Sequence, residues 1–384
     1  MKKYLPLAVV LILIVGTIGY LQSKKPKVDV QAIAKAAEIV FVPEENGPLK
    51  IDMPEAVVAI EDKADKYKRA REITNPAGFI NSEPFQLADV IGKQVILLDI
   101  WTYSCINCQR TLPYITAWDA KYRDDGLLVV GIHSPEFDFE KKIVNVQAAV
   151  DKWGIEYPVV LDNDFGTWHA YQNTYWPRKY LIDIDGFIVY DHIGEGGYNE
   201  TEMKIKELLE ERAVKLGESV QVDASLSNFV VAEAVTDLVP RSPEVYFGAW
   251  RNSTFGNGEP RKEGGFELEI PTEIKKNTFY LGGPWNIHRE YAENAEGNAR
   301  LIYHYSGDKL FMVAGSVNGT TIQIFQDGKP IGDAAGSDLD SDGKVNVKEE
   351  RLYKLIDNPT GAGEHTLEII IQDPGINIFT FTFG

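Results

Sequence analysis

Cysteine is scarce in this 384-residue sequence. Only two are present, and both lie in one tetrapeptide, Cys105-Ile106-Asn107-Cys108. A structural zinc site needs two further Cys or His ligands at matching spacing, but the six histidines are scattered singly along the chain, so zinc is disfavoured. Two thiols separated by two residues can instead close a small disulfide ring and open it again. The motif therefore favours redox chemistry over inert structural thiols.

Positive charge is also in deficit. Lysine and arginine number 39 against 57 aspartates and glutamates, which gives a net charge of −18. This charge repels nucleic acid, and the sequence contains no basic stripe with interleaved aromatic residues, so a nucleic-acid partner is not expected. The acidity is interpreted as a solvated surface. The apolar fraction of 44% is normal for globular proteins, so sizeable cores can form.

The residues on either side of the two cysteines predict a strand and a helix. The apolar run 95–101 is typical of a buried strand and carries one acid, Asp99, six residues before Cys105. A buried carboxylate has a raised pKa and can exchange a proton with a neighbouring thiol. The stretch after Cys108 has helical periodicity, and the positive end of that helix favours a thiolate at Cys105. Cys105 is therefore predicted to be the nucleophile and Cys108 the resolving thiol.

These features together resemble the thioredoxin fold. Asp-Ile-Trp precedes the C-x-x-C motif, and Pro113 follows the second cysteine by five residues. Thioredoxins also have a cis-proline facing the disulfide, and Trp176-Pro177 stands in the matching place before a predicted strand. The resemblance implies that Pro177 is cis and holds the backbone of a partner protein against the redox site.

Four segments, residues 101–114, 131–141, 157–164 and 175–186, resemble the thioredoxin-like part of the DipZ family. That family belongs to the TlpA group of membrane-tethered, extracytoplasmic thiol–disulfide oxidoreductases. The resemblance implies a TlpA-type insertion before Pro177, protein thiols and disulfides as substrates, and a location outside the cytoplasmic membrane. Full-length members also carry a multi-helix membrane domain that delivers electrons. Here we expect a separate polytopic membrane protein to supply them.

The first residues predict a membrane segment. Residues 4–21 are eighteen uncharged, mostly apolar residues, which as a helix span about 27 Å, close to the hydrocarbon thickness of a bilayer. We expect an uncleaved single-pass anchor at 1–24. A cleaved signal peptide is the alternative, although only Thr17-Ile18-Gly19 approximates a cleavage site. Residues 25–72 are interpreted as a tether, in which Glu55–Ile73 forms either a surface helix or a partly ordered stalk.

Two domains follow the tether. Residues 73–216 are predicted to form an α/β thioredoxin-like redox domain, with a linker at 217–240. In residues 241–384, eight or so short alternating segments are separated by turns, which predicts an all-β sandwich of the jelly-roll type. Three aromatic residues of this domain either stack on a glycan, as in carbohydrate-binding modules, or pack in the core. They are Trp250, Trp285 and Tyr291.

Several residues near the cysteines have two interpretations. Aromatic side chains either line a groove for the substrate peptide or pack in the core; they are Trp101, Tyr103, Tyr175 and Trp176. Arg178 either favours the Cys105 thiolate or forms a surface salt bridge. His133 and Glu136, after a strand end, either handle protons or shape a turn.

One motif in the C-terminal part matches the twelve-residue calcium loop. Oxygen-bearing side chains stand at the required positions, and a glycine stands at the tight turn; the predicted ligands are Asp338, Asp340, Asp342, Asn346 and Glu349. The helices that normally flank such a loop are missing, so an acidic hairpin turn is the alternative. Apart from the redox disulfide, no other cofactor is expected.

The sequence therefore predicts a membrane-anchored, extracytoplasmic thiol–disulfide oxidoreductase, acting as a reductase. One alternative is a surface-binding or scaffold protein that works through the C-terminal domain. The other is a thiol peroxidase, because Thr102 and Cys105 have the T-x-x-C spacing of a peroxidatic site. Peroxidases of that kind carry a proline where this chain has Leu98. The Ile-Asn pair between the cysteines does not fix the direction of electron flow.

Overall fold

The computed structural model describes residues 63–218, 223, 225–227 and 241–384. The predicted anchor, most of the tether and most of the linker lie outside these residues. In the described part, no helix combines the length and the apolar character needed to cross a membrane.

The redox domain is built on a seven-stranded mixed sheet with the order β1-β7-β6-β3-β4-β5-β2. Strands β3, β4 and β5 are parallel, and the remaining pairs are antiparallel. The strands are β1 (Lys68–Arg69), β2 (Gly78–Ile80), β3 (Val95–Trp101), β4 (Leu127–His133), β5 (Val159–Leu161), β6 (Arg178–Ile182) and β7 (Phe187–Ile193). The helices are α1 (Lys63–Lys66), α2 (Ile106–Tyr122), α3 (Ile143–Trp153), α4 (Gly166–Ala170) and α5 (Tyr198–Leu216). Short 3₁₀ turns cover Leu87–Asp89 and Asp138–Lys141.

Strand β3 lies at the centre of the sheet, and all seven of its residues are buried. Side chains alternate between the two faces of a strand. Leu97 and Trp101 accordingly pack in the cluster that contains α2, whereas Leu98 and Ile100 pack in the cluster on the other face. Asp99 shares the face of Leu97 and Trp101, so its carboxylate points towards α2 and the cysteines.

The N-terminal edge of the sheet differs from the sequence analysis. Lys68 and Arg69 pair with β7, and the Ala70 amide donates to the Gly186 carbonyl at 2.9 Å. Helix α1 ends at Lys66. The surface-helix interpretation of Glu55–Ile73 is therefore wrong for residues 67–73, because β7 offers the backbone an open strand edge; residues 55–62 lie outside the described part.

Residues 245–383 form twelve antiparallel strands, which confirms the prediction of an all-β domain. Strand β10 connects two parts of the sheet: its first half pairs with β12, and its second half pairs with β9 and β11. The jelly-roll topology stays a prediction. The strands are β8 (Val245–Tyr246), β9 (Gly264–Leu268), β10 (Phe279–Ile287), β11 (Ala292–Asn294), β12 (Ala299–Gly307), β13 (Lys309–Gly315), β14 (Thr320–Gln326), β15 (Lys329–Pro330), β16 (Lys344–Val347), β17 (Arg351–Asp357), β18 (Gly363–Ile371) and β19 (Asn377–Phe383).

The two domains share one apolar cluster. Phe379 of β19 lies between Phe137 and Phe139 of the redox domain, with ring centroids 5.0 and 4.8 Å apart, and it also contacts Tyr291 at 5.1 Å. Phe379 is only 3% exposed. The segment that follows β4 and contains Phe137 and Phe139 therefore packs directly against the C-terminal domain, in the same apolar cluster as Cys108.

Candidate active site

The two cysteines occupy different environments at the start of α2. Cys105 is the N-cap residue in extended conformation and is half-buried, whereas Cys108 is 1% exposed. Both are free thiols in this structure. Burial, followed by the hydrogen bond with Cys105, raises the pKa of Cys108 well above its ordinary value. Cys105 is thus the more accessible of the two thiols, and the assignment of Cys105 as nucleophile and Cys108 as resolving thiol stays a prediction.

Asp99 lies beneath the cysteines, and the charge of a buried lysine that the sequence analysis missed acts on it. Asp99 is 1% exposed, and burial raises its pKa to about 6, although the positive charge of Lys179 opposes that rise. Among the described residues, neither carboxylate oxygen of Asp99 has a hydrogen-bond partner. Lys179 stands opposite Asp99 in the β3–β6 register, is fully buried, and donates to the Gly194 carbonyl at 3.1 Å. A carboxyl that titrates close to neutrality beside a buried thiol can accept its proton.

A second buried carboxylate holds the loop that precedes Cys105. Glu140 is fully buried and accepts hydrogen bonds from the Ser104 hydroxyl at 2.6 Å and from the Ser104 amide at 3.2 Å. The amides of Glu136 and Phe137 also donate to it, at 2.6 and 3.0 Å. Burial raises the pKa of Glu140 to about 7. Glu140 thus joins the loop before Cys105 to the segment after β4, and no sequence motif marked it, because Phe137 is not one of the N-cap residues that precede such an acid.

His133 is part of the core rather than a proton carrier. It is fully buried, and its Nε2 accepts the Tyr103 amide proton at 3.3 Å. Burial lowers the pKa of His133 to about 3, so the ring is neutral at physiological pH. Of the two interpretations, the structural role applies to His133.

The peptide bond between Trp176 and Pro177 is cis, the geometry expected from the resemblance to thioredoxins. Trp176 donates from Nε1 to the Ser134 carbonyl at 2.9 Å. Together with Tyr175, which is 52% exposed, Trp176 lines the same cavity as Cys105. These two aromatic residues are therefore placed to contact a substrate.

Three other residues that were predicted to bind substrate are engaged in contacts within the protein. Trp101 is fully buried against His133, so its groove interpretation is wrong. Tyr103 is 6% exposed and donates to the Glu350 carbonyl of the C-terminal domain at 3.1 Å. Arg178 forms an ion pair with Asp191 at 2.6 Å, which is the salt-bridge alternative. Core packing accounts for Trp101, a hydrogen bond to the C-terminal domain accounts for Tyr103, and an ion pair accounts for Arg178.

The cavity that contains Cys105 has a volume of about 510 Å³ and walls from both domains. Glu136 and Glu195 of the redox domain line it. On the opposite side, the lining comes from the C-terminal domain and includes Arg241, Glu244, Tyr246, Arg251 and Thr382. A larger groove of about 930 Å³ lies between α3 and β17, but it does not reach either cysteine. No local motif marked the C-terminal wall residues, because their role depends on domain packing.

The predicted calcium loop forms a turn before β16, and two of its acids, Asp338 and Asp340, are engaged by other groups. Asp338 accepts the Lys354 amide at 2.7 Å and pairs with Arg351 at 2.8 Å. Asp340 accepts the amides of Asp342 and Lys344, and Asn346 lies in β16. In the described part of the chain, the only three acidic side chains whose oxygens lie close enough together to hold one metal ion are those of Asp183, Asp185 and Glu211. Calcium at the Asp338–Glu349 loop stays a prediction that this geometry does not favour.

The aromatic residues considered for glycan stacking divide between core and surface. Trp285 is fully buried and donates to the Gly282 carbonyl at 3.1 Å, so its stacking interpretation is wrong. Tyr291 packs against Phe379. Trp250 is 52% exposed and lies beside the guanidinium of Arg289. Glycan binding by the C-terminal domain stays a prediction.

Comparison with known proteins identifies both domains. Residues 67–191 match the AhpC/TSA family, and residues 242–384 match the family described as the thioredoxin-like C-terminal domain. The chain is 33% identical over 321 residues to the protein DipZ of Mycobacterium tuberculosis and Mycobacterium bovis, which covers 82% of this chain and 43% of DipZ. It therefore spans less than half the length of these relatives.

Two shorter relatives match the redox domain. The thiol–disulfide oxidoreductase YkuV of Bacillus subtilis is 26% identical over 140 residues, which is 36% of this chain and 93% of YkuV. The thiol–disulfide oxidoreductase ResA of Halalkalibacterium halodurans is 28% identical over 131 residues, which is 34% of this chain and 69% of ResA.

Proposed function

We propose that this chain, a homologue of DipZ, is a thioredoxin-like thiol–disulfide oxidoreductase that reduces disulfides in proteins outside the cytoplasmic membrane. One observation carries the proposal. The accessible Cys105 faces a cavity, while Cys108 is buried behind it and next to Asp99 and Lys179. This arrangement separates the thiol that attacks from the thiol that resolves.

The reaction has two exchange steps. The Cys105 thiolate attacks one sulfur of the substrate disulfide, a mixed disulfide forms, and the first substrate thiolate leaves and takes a proton. Cys108 then gives its proton to the Asp99 carboxylate and attacks the Cys105 sulfur, which releases the second substrate thiol. The substrate gains two electrons and two protons, and the protein is left with a Cys105–Cys108 disulfide.

We further propose that residues 4–21 anchor the chain in the membrane and that a polytopic membrane protein with its own cysteine pair reduces the Cys105–Cys108 disulfide. The apolar character and length of the segment support the anchor. An anchor would keep the redox site close to that membrane partner, and this would raise the effective concentration of the partner at the Cys105–Cys108 disulfide.

The reduction potential tests the direction of electron flow. For a reductase we expect a value close to that of thioredoxin, about −270 mV, measured by equilibrating the protein with dithiol buffers and trapping the thiols. A value close to that of a strong periplasmic oxidant, about −120 mV, would instead assign the protein to disulfide formation.

Peroxide reduction is the second candidate, favoured by the match of residues 67–191 to the AhpC/TSA family. In that reaction Cys105 would be oxidised to a sulfenic acid by the peroxide, and Cys108 would condense with it to form the disulfide and water. Consumption of hydrogen peroxide faster than reduction of an insulin disulfide by the same reduced protein would favour this candidate.

Asp99→Asn should slow resolution of the mixed disulfide by about 100-fold at pH 7, because the variant loses the base that accepts the Cys108 proton. In the wild type the base form of Asp99 appears as pH rises through about 6. The rate of resolution should therefore rise there, and in the variant the rise should move to higher pH. Stopped-flow measurement of a preformed mixed disulfide between pH 5 and 9 checks this.

The matched control is Asp119→Asn. Asp119 lies on α2 far along the helix from the cysteines, and its buried carboxylate pairs with Arg123. A second readout tests burial alone. The pKa of Asp99 is raised in the folded state, so its contribution to stability is complete below its unfolded value of 3.8 and is lost as pH rises through about 6. The unfolding free energy of Asp99→Asn should therefore fall less than that of the wild type between pH 4 and 8, by roughly 2 kcal/mol. If the pH dependence of stability changes in this way but the pH–rate profile does not, Asp99 is a buried acid without a role in proton transfer.

A further inference from the structure

The cavity beside Cys105 contains a carboxylate that has no cationic partner in the described residues. Glu244 accepts hydrogen bonds from the hydroxyls of Tyr246 at 2.6 Å and Thr382 at 3.1 Å. In the described part of the chain, no lysine or arginine nitrogen lies within ion-pair distance of it; Arg251 acts on it only through its charge. The other two carboxylates of the cavity are paired, Glu136 with Arg251 at 2.7 Å and Glu195 with Arg110 at 3.3 Å.

The hydroxyl of Tyr246 lies between the two carboxylates, Glu136 and Glu244. It lies 2.9 Å from the Glu136 carboxylate and 2.6 Å from the Glu244 carboxylate. A phenol has one hydrogen to donate, so it can satisfy only one of the two acceptors at a time. Two carboxylates therefore meet at one donor, and among the described residues Arg251 forms an ion pair with Glu136 but not with Glu244.

The surroundings of Glu244 agree with this. Glu244 is exposed, and it lines the cavity walled by both domains. A bound cation in the cavity would relieve the repulsion between the two carboxylates and stabilise the ionised form of Glu244.

We propose that the C-terminal domain forms the distal wall of the substrate site and that Glu244 binds a lysine or arginine side chain close to the cysteine of a client polypeptide. Cys105, Trp176 and Glu244 share one cavity, so a residue near the reacting cysteine in an extended chain reaches the carboxylate. The inference rests on the proposed function and adds to it a class of substrate, namely disulfides flanked by basic residues.

Paired peptide substrates test the inference with the full-length protein. One disulfide-linked peptide carries lysine two residues before and two residues after its cysteine, and the other carries glutamine at both positions. The ratio of kcat/KM for the lysine peptide to that for the glutamine peptide should exceed one in the wild type. Glu244→Gln should lower that ratio about fivefold, as expected for the loss of one partly shielded ion pair. The matched control, Glu259→Gln, removes a carboxylate of the same domain that pairs with Lys262 at the surface and should leave the ratio unchanged.

Binding without chemistry separates this inference from the proposed function. Calorimetry on the Cys105→Ser, Cys108→Ser protein should show tighter binding of the lysine peptide, with serine in place of its cysteine, than of the glutamine peptide, and Glu244→Gln should abolish the difference. If this preference is found but no peptide disulfide is reduced, the proposed function fails while the cation site stands. Equal binding of the two peptides, or an unchanged ratio in Glu244→Gln, would overturn the inference.

Discussion

Cys105→Ser should lower the rate of disulfide reduction by at least about a thousandfold, because the chain then has no accessible nucleophile. The structure supports so large an effect, since the remaining thiol, Cys108, is 1% exposed and its pKa is raised by burial. Reduction of an insulin disulfide by the pre-reduced protein measures the loss.

Cys108→Ser is the matched comparison, because it also removes one sulfur from the same motif. Attack by Cys105 survives in this variant but resolution does not, so mixed disulfides with clients should accumulate. Mass spectrometry of the variant expressed in its native cells identifies the trapped proteins, and a polytopic membrane protein with a cysteine pair among them is expected for a reductase. If a limiting amount of alkylating reagent modifies Cys108 before Cys105 in the wild type, the two roles are reversed.

Phe379→Ala should lower the free energy of unfolding by about 3–5 kcal/mol, the usual cost of removing a buried phenylalanine from a packed core. Phe379 is 3% exposed and touches Phe137, Phe139 and Tyr291, so its removal leaves a cavity between the two domains. Denaturant unfolding, followed by tryptophan fluorescence and by circular dichroism, measures the change.

Val317→Ala is the control for this substitution. Val317 belongs to the same domain but is 89% exposed, so its truncation should change stability by less than about 0.5 kcal/mol. A Phe379→Ala protein as stable as the wild type would contradict the packing of the two domains, and with it the C-terminal wall of the active-site cavity.

The immediate surroundings of the redox motif were predictable from sequence, because they depend on neighbouring residues in the chain. The apolar run 95–101 forms a buried strand, and Cys105 caps a helix that begins one residue later. The buried acid Asp99 followed from its place in that strand, and the cis geometry at Pro177 followed from the resemblance to thioredoxins. The alternation of short segments after residue 241 was sufficient for an all-β domain, because the twofold period of a strand is visible without its partners.

The tertiary structure decided which side chains meet. Lys179 faces Asp99 because of the register between β3 and β6, and a register is a property of two strands that the sequence of either one does not contain. Trp101 and Tyr103 were ambiguous because the alternation that predicts a buried strand does not show what covers each face. Glu244 stands 139 positions after Cys105 in the chain, and only the packing of one domain against the other places both in one cavity. Local backbone preferences thus fixed the chemistry at the cysteines, whereas long-range packing determined the walls around them.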